Sequence, residues 1–330
     1  MFKRLSQSWN IKEPTEVDHR FSTLVGEVIS QGRSYVPSKE VPFKSSMLSK
    51  FCSRKMVLSN LTGVSLSPKM SENLGWIFGI GTAYHSHFQE AIMQKFGDVF
   101  QGWWRCKGCG KIHKGDALLC IALSHKWIPM PKSCECGIKL KDAHETEKSF
   151  KFEYMELSFH DKTTGTKGHC DGILVWSEEE VEVLELKSTG SMSNVDPAMG
   201  GEPYQDHKIQ VHDYMRMAGL KKARIVYLNK FADSFKSAIV EHVVTAKPKV
   251  MENIVKEYML TREIFELITV EMCDAVSKLP LAYGKPNFKK LTASDKVKIV
   301  EILPERNCKC KAKTDKMAKD CPLKNQCFIL

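Results

Sequence analysis

Two hydrophobic rhythms run along the chain, one of period two and one near the helical period. Between residues 149 and 189 the apolar positions fall in short runs, SFKFEYMELSF (149–159), GHCDGILVWS (168–177) and VEVLELKST (181–189). Successive side chains on a strand point to opposite faces, so these runs predict extended segments, and the glycines and acidic residues between them predict a meander. A polar, glycine-rich loop (190–203) follows. PYQDHKIQVHDYMRMAGL (203–220) then predicts a helix, with Pro203 near its start and Gly219 near its end. RIVYLNK (224–230) predicts a short buried strand, and KVMENIVKEYMLTREIFELITVEMCDAVSKL (249–279) a long amphipathic helix. Upstream, residues 45–63 predict a helix, and Gly79 and Gly81 precede a helical pattern through Tyr84, Phe88, Ala91, Ile92 and Phe96. Residues 101–144 keep no period and hold two tryptophans and two cysteine pairs. The pattern predicts an α/β core over 45–100 and 145–330, an inserted metal-stapled module over 101–144, and an N-terminal arm over 1–44.

A chain of 330 residues that is 42% hydrophobic can bury one large core with an inserted module. It holds no run of about 18 apolar residues, which argues against a membrane span. The start MFKRLSQSWNIKEP lacks the apolar stretch of a secretory signal, so the expected location is the cytoplasm, or a host cell's cytoplasm for a viral protein. In a reducing compartment the 12 cysteines read as metal ligands or buried thiols, and Cys170 and Cys273 as the latter. The net charge is +10, and from Lys285 onward 12 Lys and Arg face five Asp and Glu. Such a tail suits the phosphates of nucleic acid, and equally a solvated lysine-rich face.

The central chemical signal is Asp171 followed by Glu185-Leu186-Lys187. Asp171 lies in one predicted strand and Glu185 in the next, so antiparallel pairing can bring both carboxylates to one end of a sheet. Hard cations such as Mg2+ or Mn2+ favour oxygen ligands of this kind. Glu185 and Lys187 are two apart on a strand and share a face, which sets an ammonium beside the cation. A solvent-facing ExK on an edge strand gives the same letters, but Val183, Leu184 and Leu186 around the carboxylate speak for a buried site. GTAYHSHFQE (81–90) adds His85, with His87 as competitor, and Gln210 and Tyr214 share a helical face at i and i+4.

The cysteines form two sets. Cys106-x-x-Cys109-Gly110 and Cys134-x-Cys136-Gly137 have the form of two zinc knuckles, with His113 and Cys120 as possible substitutes. Beside them Trp103, Trp104, Arg105 and Lys107 either stack and grip single-stranded nucleic acid or merely cover the zinc site. The outer set is Cys52, Cys308, Cys310, Cys321 and Cys327.

In sequence order, His85, Asp171, Glu185/Lys187 and Gln210/Tyr214 resemble the RecB-like exonuclease branch of the PD-(D/E)XK superfamily. SMLSKFCSRK, with Ser53 where the family usually has proline, resembles the segment preceding the core in AddB-type nucleases and CRISPR-associated RecB-like exonucleases. The resemblance covers about 45–95 and 150–330. It implies a restriction-endonuclease-like core, with a mixed central sheet flanked by helices. It implies Mg2+- or Mn2+-dependent hydrolysis of DNA, as single strands or duplex ends, in replication, recombination or repair, alongside proteins of those pathways. Asp171, Glu185, His85 and the Leu186 carbonyl would hold the cation, Lys187 would assist the water, and Gln210 and Tyr214 would orient the site and reach a phosphate. Cys52 would join Cys321, Cys327 and either Cys308 or Cys310 around a [4Fe–4S] cluster, with a second structural zinc as the alternative. The competing expectation is a non-catalytic DNA-binding or scaffold protein.

Overall fold

VEVLELKST is flanked by partners on both sides and becomes the middle strand of the central sheet. The computed structural model describes residues 43–45, 52–62, 72–89, 96–114, 127–137, 151–232, 234, 238–277, 281–282, 285–286, 288–303 and 327. In chain order its elements are β1 (Phe43–Lys44), α1 (Ser53–Thr62), α2 (Glu72–His87), β2 (Phe100–Gln101), β3 (Trp103–Cys106), β4 (Ile112–His113), β5 (Phe152–Met155), β6 (Leu157–Asp161), β7 (Thr166–Cys170), β8 (Gly172–Val175), β9 (Val181–Thr189), α3 (Gln205–Ala218), β10 (Lys222–Asn229), β11 (Ile239–Thr245), α4 (Pro248–Ser277), β12 (Leu281–Ala282), β13 (Lys285–Pro286) and α5 (Ala293–Ile302). Among the described residues no helix is long and apolar enough to cross a membrane.

The five-stranded central sheet runs β11-β10-β9-β8-β2. Only β9 and β10 pair in parallel; the other neighbours are antiparallel, so the sheet is mixed. Parallel neighbours need a crossover, and α3 supplies it. That helix ends at Gly219 in the left-handed region (φ 67°), whose N–H caps the last turn on Arg216 and Met215 carbonyls. Two smaller sheets, β1-β7-β6 and β4-β3-β5, flank the central one.

Alternation along β9 sorts its residues into two cores. Val183 packs with Val211, Tyr214, Met215 and Met217 of α3. Leu184 and Leu186 pack on the other face with Leu174, Val226, Trp104, Phe152 and Tyr154. Glu185 and Lys187 therefore look toward α3. The helix is fixed in place by Asp213, fully buried, which accepts from Ser45 Oγ at 2.7 Å, Tyr258 OH at 3.3 Å and Arg216 Nε at 2.9 Å. Arg216 also pairs with Asp161 of β6. A charge taken wholly out of water is tolerable only when paired and hydrogen-bonded in this way.

Three features differ from the sequence pattern. First, α2 begins at Glu72, so Gly79 and Gly81 lie inside it rather than ahead of it. A Cβ on Gly81 would sit 3.0 Å from Ser188 Oγ, so the glycine lets the helix lie close on the end of β9. Second, β11 was not apparent from the pattern; it is an edge strand whose charged and half-exposed positions dilute the apolar signal. Third, the stretch 101–144 does not hang free. Gln101 pairs with Ile173 in the central sheet, and β3 pairs with β5, which lies beyond that stretch. Of the outer cysteines, Cys308, Cys310 and Cys321 lie outside the described residues; Cys52 and Cys327 are half-buried.

Candidate active site

Asp171 sits at the bend between β7 and β8. The β8–β9 ladder pairs Gly172 with Leu184, and extending it by one residue sets Asp171 opposite Glu185. The backbone N–H of Leu186 donates to Asp171 Oδ2 at 2.6 Å, while His85 Nδ1 on α2 faces Asp171 Oδ1 at 3.4 Å. Strand pairing thus brings the two carboxylates to one place, and the helix across the sheet end adds an imidazole.

Glu185 is 3% exposed. Its Oε1 accepts from Lys187 Nζ and, at 3.0 Å, from Gln210 Nε2. Gln210 closes the group: its Oε1 accepts from Lys187 at 3.1 Å and its Nε2 donates to Tyr214 OH at 2.8 Å. Residues 210 and 214 lie one helical turn apart on the face of α3 turned to the sheet. Glu185 Oε2 has no hydrogen-bond partner although it is buried. A buried carboxylate oxygen left unpaired costs free energy, and a ligand normally explains it.

The electrostatics follow from this crowding. Burial, reinforced by the charge of Asp171 and opposed by Lys187, pushes the Glu185 carboxyl up to about 7. The bond to Asp171 holds the His85 imidazole above its ordinary value, against burial. Burial would lower the Lys187 ammonium, but Glu185 and Asp171 outweigh it and hold it up. Oxygen donors, one imidazole and an orphaned carboxylate oxygen suit a hard divalent cation.

The structure brings together His85, Asp171, Glu185, Lys187, Gln210 and Tyr214, and corrects two expectations. Tyr214 is only 2% exposed, so its hydroxyl reaches Gln210 rather than a phosphate. Trp103 and Trp104 are 8% and 0% exposed and leave no free face for a base. Trp104 stands edge-on to Tyr154 and donates from Nε1 to the Ile128 carbonyl at 3.0 Å; Trp103 lies in the α3-side core. They are buried because β3 pairs with β5 and turns both rings inward. Arg105 between them is exposed and faces Glu153 at 3.4 Å.

Two residues at the site were not foreseen. The β6–β7 ladder pairs Leu157 with Cys170, and one further step sets Glu156 beside Asp171, on the side away from Glu185. Partial desolvation and the charge of Asp171 push this accessible carboxyl up. Tyr154, buried, donates from its hydroxyl to the Asp171 backbone carbonyl at 2.7 Å.

A second cluster lies in the β3–β4 region. The sulfurs of Cys106, Cys109, Cys134 and Cys136 all lie within 4.8 Å of one another and could hold a metal ion. Gly110 and Gly137, which follow the two pairs, take positive φ (74° and 89°) in turns closed on the Cys106 and Cys134 carbonyls. The Cys109 backbone N–H, opposed by desolvation, brings the Cys106 thiol down to about 7. Among the described residues these are the cysteines that gather; His113 lies beside Phe152 instead.

No protein-family model matches the chain, and no curated protein matches it. Among solved structures, an alkaline exonuclease (LHK-Exo) from Laribacter hongkongensis is similar over 76% of this chain and 98% of its own, at 10% identity and a TM-score of 0.42. The protein SSO0001 is similar over 74% of this chain and 86% of its own, at 14% identity and a TM-score of 0.36. A phage-related exonuclease from Haemophilus somnus 129PT is similar over 35% of this chain and 60% of its own, at 12% identity and a TM-score of 0.26. Likenesses at this level carry no residue roles and no activity to this chain. What stands is the mixed central sheet flanked by helices, with two carboxylates, an imidazole and an ammonium gathered where β7 bends into β8 beside β9.

Proposed function

We propose that this chain is a divalent-cation-dependent nuclease that hydrolyses phosphodiester bonds of DNA. The observation that carries the reading is the buried, unpartnered Glu185 Oε2, set beside Asp171 with an ammonium on the neighbouring oxygen. On this reading Asp171, Glu185, His85 and the Leu186 carbonyl hold Mg2+ or Mn2+. When bound, such a cation makes water a usable nucleophile at neutral pH and offsets charge on a phosphate. Gln210 holds the Glu185 carboxylate and the Lys187 ammonium in fixed relation, so neither must reorganise during reaction. Lys187 orients the attacking water or steadies developing negative charge, and Tyr214 acts through Gln210.

The four gathered thiols hold Zn2+, and Cys52 with the late cysteines holds a [4Fe–4S] cluster or a second zinc. The basic tail, with Arg105, serves the phosphate backbone. DNA single strands or duplex ends are the substrate, within replication, recombination or repair. An end-labelled DNA digestion in Mn2+ tests the reading: wild type releases labelled nucleotides, while Glu185→Ala binds the same DNA and leaves it intact. Binding without cleavage by wild type would favour a non-catalytic DNA-binding protein, and preferential loss of a matched RNA would redirect the substrate.

A further inference from the structure

The β4-β3-β5 sheet joins the two clusters. Its strands hold two to four residues, too few to be stable by themselves, so a bound ion would supply much of their order. Cys106 ends β3. Two residues earlier, Trp104 pairs in register with Tyr154 of β5, and the rings meet edge-on with centroids 5.1 Å apart. A Cβ on Gly102 would overlap the Tyr154 ring, so the phenol is seated directly on the β3 backbone. From there the Tyr154 hydroxyl donates to the Asp171 carbonyl at 2.7 Å. Every member of this chain from Cys106 through Trp104 to Tyr154 is buried, as is Asp171.

We propose that the four-thiol metal centre positions the Asp171 carboxylate, through Trp104 and Tyr154, so that occupancy of the thiol site sets the affinity of the carboxylate site for its divalent cation. Tyr154 is a positioning residue: it touches neither substrate nor cation and acts through the Asp171 backbone. The inference rests on the reading of Asp171 as a cation ligand.

The test uses the full-length protein and reads Mn2+ binding by electron paramagnetic resonance without DNA, alongside zinc content and DNA cleavage. Tyr154→Phe keeps the ring on Trp104 and all four thiols while removing one buried hydrogen bond. It is expected to retain zinc, fold as wild type and bind Mn2+ about five- to tenfold more weakly, the scale of one such bond. Its cleavage rate should recover as Mn2+ is raised, with KM for DNA unchanged. Cys109→Ser should lose zinc and weaken Mn2+ binding at least as much. Undiminished Mn2+ affinity in folded Tyr154→Phe, or in zinc-free Cys109→Ser, overturns the coupling. So does a wild type that carries no ion on the thiols or binds no Mn2+. If Mn2+ affinity falls as expected but wild type cuts no nucleic acid, the coupling stands and the nuclease reading fails.

Discussion

Replacing Glu185 by glutamine should make the cation-free protein more stable at pH 8. The carboxyl has an ordinary value of 4.5 and is pushed up to about 7, chiefly by burial. A native group that holds its proton more tightly than the unfolded chain lowers stability as pH rises. The loss begins near 4.5, grows up to about 7 and is constant above it; the displacement corresponds to about 3 kcal/mol. His85 acts in the same sense, since its bond to Asp171 favours the protonated ring, and that contribution fades as pH rises through its raised value. Glutamine has the shape of the protonated acid and keeps an acceptor for Lys187. The variant should therefore melt roughly 5 °C higher than wild type at pH 8 in EDTA, and no higher at pH 4.5. Thermal melts by circular dichroism across that range measure both. With saturating Mn2+ the order should reverse, because only wild type gains binding energy. A glutamine variant that melts lower at pH 8 without metal, or whose difference ignores pH, refutes the reasoning.

Mn2+ affinity should rise between pH 6 and pH 8, because the cation must displace protons from Glu185 and His85; titration calorimetry in two buffers should show protons released. Asp213→Ala leaves Arg216 short of one partner in a buried cluster and should cost about 3–5 kcal/mol, read from urea melts. Lys187→Met should keep Mn2+ binding within a fewfold yet lower the DNA cleavage rate at saturating metal at least a hundredfold, since the ammonium contacts Glu185 and Gln210 rather than standing where a ligand would.

What could be read from the sequence follows from how local each signal is. The strand VEVLELKST, the helix closing at Gly219 and the long helix α4 announce themselves through period and capping within a few residues. The Glu185–Lys187 face also follows from two-residue spacing alone. The meeting of Asp171 with Glu185 needed one short strand connection, which is why it could be anticipated. Glu156 and Tyr154 could not, since their approach to Asp171 depends on β6 pairing with β7 and β5 with β3. The same non-local pairing explains the tryptophans: beside cysteines and charges they look like a surface feature, but β5, some 50 residues further on, covers them. Helix α2 misled through its glycines, which mark close packing on β9 rather than a helix start.

Mn2+-soaked crystals, with anomalous differences collected at the manganese edge, test the cation site without reference to any activity. The account predicts a peak within roughly 2–2.6 Å of Glu185 Oε2 and an Asp171 oxygen, with the His85 ring turned to it. Density only on the surface, with Glu185 Oε2 still lacking a partner, would contradict it.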